Sequence, residues 1–280
     1  MNRALQVLTP GPLTTVQDAG RPGQAALGIG RSGACDRRAY GLANRLVGNP
    51  PGAGVLEVTF GGLEVRARGD LLLATAGARC SGHWPHVAPT RLRDGEVLRL
   101  GQPVTGLRTY VAVRGGLDVE PVLGSRSTDL LADLGPPVPA ADDVLPVGPA
   151  TGPLPNVDVA PIAEPPDGEV VLSVLPGPRR DWFDDDAWSR LTARWEVTSQ
   201  SNRVGLRLDG SPLERATEGE LPSEGMVRGA VQVPPSGLPV LFLADAPVTG
   251  GYPVIAYVVD EDVDLAAQLR PGQGVRLRPV

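Results

Sequence analysis

Apolar runs of strand length, each soon broken by glycine or proline, constrain this chain more than any other feature. The stretch from Ser199 to Pro253 shows it best: SQSNRVGLRLDG, then SEGMVRGAVQVPPSG, then LPVLFLADAPVTGGYP. A long helix cannot run through such punctuation, whereas short strands joined by tight turns depend on it. The habit extends to the whole chain, with 36 glycines, 30 prolines and few aromatic residues among 280. The expected class is mostly β, α+β in detail, with a few short helices.

The turns of that stretch carry Gln200, Asn202, Arg203, Glu224, Gln232, Thr249 and Tyr252. A segment that only had to fold would not need amides, an arginine and paired glycines at so many strand ends. Rigid strands tipped with polar groups suit a small-molecule pocket. Gln200, Asn202 and Arg203 are the first candidates for catalysis, because an ordinary turn rarely needs all three. Thr249, Gly250, Gly251 and Tyr252 form a candidate substrate corner, since adjacent glycines expose backbone N–H groups that can hold an anion. Glu57 and Gln232 sit inside apolar strands, where they are either further candidates for catalysis or lone polar residues on a solvated face. A faint repeat pairs them: Leu56–Val65 and Val231–Val240 share aliphatic, Glu or Gln, Val, three free positions, Gly-Leu, one free position and Val.

In chain order, residues 8–36 read as short extended pieces and turns. Asp36 caps an expected helix over RRAYGLANRLV, which Gly48 and Pro50 stop. Strands are expected at Val55–Thr59, Leu63–Arg66, Leu71–Thr75, Val97–Leu100 and Arg108–Val113. Residues 1–150 are taken as an N-terminal module, 151–168 as a proline-rich linker and 169–280 as a C-terminal module. In the latter a strand is expected at Glu169–Leu175. A short helix should follow from about Asp185, capped by Asp184, with Trp188, Leu191 and Trp195 on one face. A strand at Val254–Val259, a helix around Asp262–Leu269 and a strand at Gly274–Leu277 complete it.

Composition removes several function classes. The net charge is −6 and no basic tract exists, so nucleic acid is not an expected partner. No apolar run approaches the roughly 18 residues of a membrane helix, and MNRALQVLTPG lacks a signal-peptide core, so a cytoplasmic protein is expected. All 26 basic residues are arginine. Without lysine there is no Walker A loop, no Schiff base and no covalent biotin on this chain. His83 and His86 offer too few ligands for a metal site, Cys35 and Cys80 form no CxxC pair, and Asp184–Asp186 reads as a helix start.

A set of short pieces carries a resemblance. GPLTTVQDAGRPG (11–23), RSGACD (31–36), ANRLVGN (43–49), LEVTFGG (56–62), YVAVRGG (110–116), LGSRST (123–128), LPGP (175–178), SQSNRVG (199–205), SEG (223–225), AVQVPPSG (230–237), TGGYP (249–253) and AQLRPG (267–272) occur in this order. Together they resemble the carboxyltransferase subdomain A and B family, also called allophanate hydrolase subunit 2-like. Cys35 stands where that pattern has methionine, and residues 78–91 match poorly. The resemblance implies two cyclophilin-like β-barrel modules. It also implies a subunit of an ATP-dependent enzyme that opens 5-oxo-L-proline to L-glutamate with partner subunits A and B. Such an enzyme takes a small anionic lactam, with ATP and Mg²⁺ at the level of the complex. Alternatives within the family are an antagonist of a Kip-type kinase inhibitor and a carboxyltransferase using biotin on another chain.

Charge stabilisation in such chemistry calls for arginine, with Arg21, Arg31, Arg114, Arg126 and Arg203 as candidates. Arg21, Ser32, Asn44 and Glu224 join Thr249–Tyr252 as expected substrate-binding residues. Groups from both modules are expected to share one cleft.

Overall fold

The computed structural model describes residues 3–217, 219 and 221–280. The chain divides into two compact units. One takes the residues up to Arg21 with Ser32–Asp129 and Asp133–Pro165, and the other takes Pro22–Arg31, Leu130–Ala132 and Pro166–Val280.

The first unit contains β1 (Ala4–Pro10), β2 (Leu13–Gln17), α1 (Arg37–Leu46), β3 (Val55–Thr59), β4 (Leu63–Arg68), β5 (Leu71–Gly77), β6 (Thr90–Leu92), β7 (Val97–Arg99), β8 (Arg108–Val113) and β9 (Val144–Pro146). Two antiparallel sheets form, in the orders β7-β4-β1-β9 and β2-β3-β8-β5-β6. Leu5, Val7, Leu63, Val65 and Leu98 of one sheet meet Leu56, Val58, Leu73, Val111 and Val113 of the other in a shared core. The outer face of the second sheet carries α1, whose Ala39, Tyr40, Ala43 and Leu46 pack on Ala74, Ala76, Tyr110 and Ala112. Alanines there let the helix lie close. As a result β8 is buried along its whole length, with both faces covered. Asp36 caps α1 as expected, its side chain accepting the Ala39 N–H at 2.9 Å. The proline-rich stretch up to Pro165 lies against this unit: Val157 and Ala160 pack on the α1 cluster, and the Ala160 N–H donates to Val87 O at 2.9 Å.

The second unit contains β10 (Val170–Pro176), α2 (Ala187–Leu191), β11 (Arg194–Val197), β12 (Gly205–Asp209), β13 (Glu224–Gly225), β14 (Ala230–Gln232), β15 (Val240–Phe242), β16 (Thr249–Gly250), β17 (Val254–Val258), α3 (Asp260–Ala266) and β18 (Gly274–Pro279). Seven strands close a barrel in the order β10-β17-β14-β15-β12-β11-β18, with β18 returning parallel to β10. Closure leaves these strands no open edge. Leu172, Val174, Trp195, Leu206, Leu208, Val231, Leu241, Ile255, Val275 and Leu277 fill it. A separate two-stranded ribbon pairs β13 with β16.

The mostly β class with few short helices stands, while the closed barrel belongs to the second unit. Three local expectations are corrected. Trp195 lies on β11, not on a helix with Trp188 and Leu191. Its exposure alternates with Arg194 and Glu196, a period of two that the i+4 and i+7 spacing had masked. The helix starts at Ala187 with Asp186 before it and no side-chain cap, because Asp184 is bound by Arg190 instead. The last helix begins at Asp260, two residues earlier than Asp262, and its first turn gathers Asp260, Glu261 and Asp262 where the macrodipole favours acid. The repeat has no counterpart in pairing: β14 and β15 bond to each other, whereas β3 and β4 belong to different sheets.

Candidate functional site

In the second unit the β13–β16 ribbon builds a polar corner. Glu224 pairs with Gly250 and Gly225 with Thr249. Gln232, 5% exposed at the end of β14, donates from Nε2 to the Tyr252 carbonyl at 3.0 Å. A Cβ at Gly250 would stand 2.7 Å from Gln232 Nε2, so any larger residue there would push that amide aside. Glu224 is held by the Arg179 guanidinium, with Nε 2.9 and 3.1 Å from its two oxygens. That hydrogen bond is the main reason its carboxyl titrates below the usual range. Tyr252 is 44% exposed, with the Arg215 guanidinium 5.7 Å from its ring centre. Arg215 donates from Nη2 to Val233 O at 2.7 Å, and its buried Nε has no hydrogen-bond partner among the described residues. Glu224, Gln232, Thr249, Gly250, Gly251 and Tyr252 thus share one corner, joined by Arg179 and Arg215. Neither arginine is among the sequence candidates. Arg179 follows the LPGP piece directly, which was the available signal. Arg215 had none.

The SQSNRVG turn distributes its residues differently. Arg203 is 1% exposed and binds Asp245 by a fork, Nε to Oδ2 and Nη2 to Oδ1, each 2.9 Å. Asp245 Oδ2 also accepts the Leu130 N–H at 3.1 Å. Asn202 is exposed and turns its Oδ1 back onto the Val204 N–H at 2.8 Å, an Asx turn. Gln200 is exposed on the same turn. Arg203 and Asn202 therefore fix the shape of this turn, the first through a buried ion pair and the second through the local backbone.

In the first unit the candidates knit loops together. Glu57, 1% exposed, accepts the Tyr110 hydroxyl at 2.7 Å and the Cys35 N–H at 2.9 Å on Oε2, with Arg108 Nε 3.6 Å from Oε1. Burial, with the Glu57 charge second, pushes the Tyr110 hydroxyl well above its ordinary value. It therefore stays protonated and donates, while accepting the Asp36 N–H at 2.7 Å. The solvated-face reading of Glu57 and Gln232 is overturned, since both are buried. Arg21 is buried, donates from Nη2 to Ser127 O and stands 4.0 Å from Asp129. Ser32 Oγ lies 3.4 Å from Thr128 O. Asn44 bridges α1 to its following turn through Ala53 O at 3.1 Å and Asn49 at 2.8 Å. Arg114 binds the carbonyls of Val47 and Gly152, and Arg126 binds Asp118.

The GSRST loop would suit a phosphate, but Asp18 already occupies it. Asp18 Oδ1 accepts the Ser125 and Ser127 hydroxyls at 2.6 Å each, and Oδ2 accepts the Arg126 N–H at 2.6 Å. Among the described residues no group of three or more His, Cys, Asp and Glu could hold a metal ion, and no helix is long and apolar enough to cross a membrane.

A closed barrel and a two-sheet unit, carrying the quoted motifs on their strands, helices and turns, define the class. The chain belongs to the family described as carboxyltransferase domain, subdomain A and B, whose model matches residues 27–279. Among its relatives, the 5-oxoprolinase C subunit of Escherichia coli (strain K12) is 39% identical over 97% of this chain and 89% of that one. Urea amidolyase of Lachancea kluyveri is 32% identical over 99% of this chain but only 17% of its own length. The crystal structure of the Kluyveromyces lactis urea carboxylase superposes with a TM-score of 0.90 at 28% identity, covering 99% of this chain and 27% of that one. A further solved relative, 38% identical with a TM-score of 0.88, is spanned over 55% of its length.

Proposed function

We propose that this chain is the C subunit of a cytoplasmic 5-oxoprolinase, a hydrolase that opens 5-oxo-L-proline to L-glutamate with ATP and acts only with subunits A and B. The observation that carries this reading is the 39% identity to the E. coli C subunit over nearly the full length of both chains. The chemistry is demanding, because amide resonance makes a five-membered lactam a poor electrophile. ATP, when bound in the complex, supplies a phosphoryl group that turns the lactam oxygen into a leaving group.

In this reading the corner around Tyr252 meets the lactam. Tyr252 and Thr249, both hydroxyl-bearing, are exposed, and Arg215 places a cation beside the Tyr252 ring for a carboxylate. Gln232 fixes the Tyr252 carbonyl and acts as a positioning residue. Glu224 is tied to Arg179 and anchors the ribbon. Gln200 remains a candidate contact on its exposed turn. The corner does not fit a polyphosphate, since its carboxylate would repel one, and the GSRST donors are already taken by Asp18.

Combining the purified chain with subunits A and B, 5-oxoproline, Mg²⁺ and ATP should release glutamate, and omitting this chain or ATP should abolish release. Equal glutamate without this chain refutes the reading. The match to urea amidolyase over 99% of the chain favours a second one, carboxyl transfer from biotin carried elsewhere. A biotinylated protein co-purifying with the chain, detected by streptavidin blot, would select it.

A further inference from the structure

The proline-rich stretch is tied to the first unit at one short loop, and that loop carries a buried histidine. His86 lies between β5 and Val87, with Nε2 3.2 Å from Gly77 O and Nδ1 3.0 Å from Thr75 Oγ1. A carbonyl only accepts, so Nε2 bears the proton and Nδ1 takes the Thr75 hydroxyl: the ring is neutral in this arrangement. The next residue, Val87, has a φ of 50°, a left-handed backbone that β-branched side chains rarely adopt. It is held there from two sides. Its N–H donates to Thr75 O at 2.9 Å, and its carbonyl accepts the Ala160 N–H at 2.9 Å. Val157 and Ala160 pack with Val87 on the α1 cluster, and Arg79 beyond β5 bonds Glu164 of the same stretch.

We propose that His86 is an acid-sensitive latch, whose protonation releases the stretch around Ala160 from the first unit. A second proton on the ring takes Nδ1 away from the Thr75 hydroxyl as an acceptor. That hydroxyl is then left with Pro85 O, 3.4 Å away, and a charge stands in a mostly apolar seat. Moving the ring out restores its hydration and lets Val87 leave its disfavoured backbone, which turns its carbonyl from Ala160. Burial is the main reason His86 titrates below its ordinary value; the Gly77 carbonyl and Glu164 pull the other way, and Arg79 adds to the depression. The charged groups acting on the ring thus come from the stretch itself and from the end of β5. An opened ring titrates near the ordinary value of about 6.5, above the folded one, so the open form takes the proton first. Closure is therefore complete above about pH 6.5 and weakens as pH falls toward the folded value.

The latch is independent of the 5-oxoprolinase reading, because it concerns the intact chain alone. Its test is hydrogen exchange read by mass spectrometry, with rates corrected for the intrinsic effect of pH. Protection of residues 156–164 should drop at least about fivefold between about pH 7.5 and pH 5.5, while β3 and β8 keep theirs. His86→Gln should abolish that pH dependence, whether its stretch then rests closed or open. A second readout needs no change at His86. The chain has only two histidines, so His83→Asn leaves a single ring to follow by carbon-13 NMR. Its midpoint should lie below the ordinary value, and Glu164→Gln, at an exposed position, should lower it further by removing a favourable charge. Equal protection at both pH values overturns the latch. So does a pH dependence that survives in His86→Gln, or a ring that titrates at the ordinary value.

Discussion

Arg203 is the residue whose environment decides most about the SQSNRVG turn. A guanidinium 1% exposed needs a partner, and the fork to Asp245 uses two of its donors at 2.9 Å. Truncating either member strands the other as a buried, uncompensated charge. Arg203→Ala and Asp245→Ala should therefore each lower unfolding free energy by about 3–5 kcal/mol, read from urea denaturation. Lost activity in Arg203→Ala would then report lost structure, so this residue is a poor probe of catalysis. A change below about 1 kcal/mol would show that the pair is dispensable. Glu57 follows the same logic, its carboxylate collecting Tyr110, Cys35 and Arg108 to fix the loop that leads into α1.

At the scale of elements, the chain end of β10 is joined to the β13–β16 ribbon by Arg179 and Glu224. The Arg179 hydrogen bond holds the Glu224 carboxyl below its ordinary value, so its contribution to stability is complete above the unfolded carboxylate range. It is lost as pH falls through the depressed folded value. Both side chains are partly exposed, and solvent screening keeps the effect small. The difference in urea midpoint between the natural chain and Arg179→Gln should be constant near about pH 7 and shrink toward zero in acid. A difference that instead grew on acidification would contradict the pairing. Elements were also where sequence reading was strongest. β3, β8 and α1 follow from alternating or helical apolar spacing with clear stops, and Asp36 announces its cap. Trp195 was misplaced because helical spacing and strand alternation coincide over so short a segment.

For the molecule as a whole, the class and the family were legible, while the use of each polar residue was not. Barrel closure depends on β18 meeting β10, a pairing between segments about a hundred residues apart that no local pattern encodes. The same limit applies to the candidates. TGGYP, Glu224 and Gln232 were visible as polar turns and strand ends, and the fold brings them together. Asp18 in the GSRST loop and Asp245 against Arg203 are partners far away in sequence, so those motifs looked open for ligands when they were already filled. Arg215 gave no sign at all before folding placed it over Tyr252. The decisive measurement is kcat/KM for 5-oxoproline in a complex reconstituted from all three proteins, with this chain carrying Tyr252→Ala or Arg215→Ala. Each substitution should reduce kcat/KM by at least about tenfold, with co-elution of the three proteins and thermal midpoint unchanged. Full kcat/KM in both variants would contradict a lactam contact at this corner.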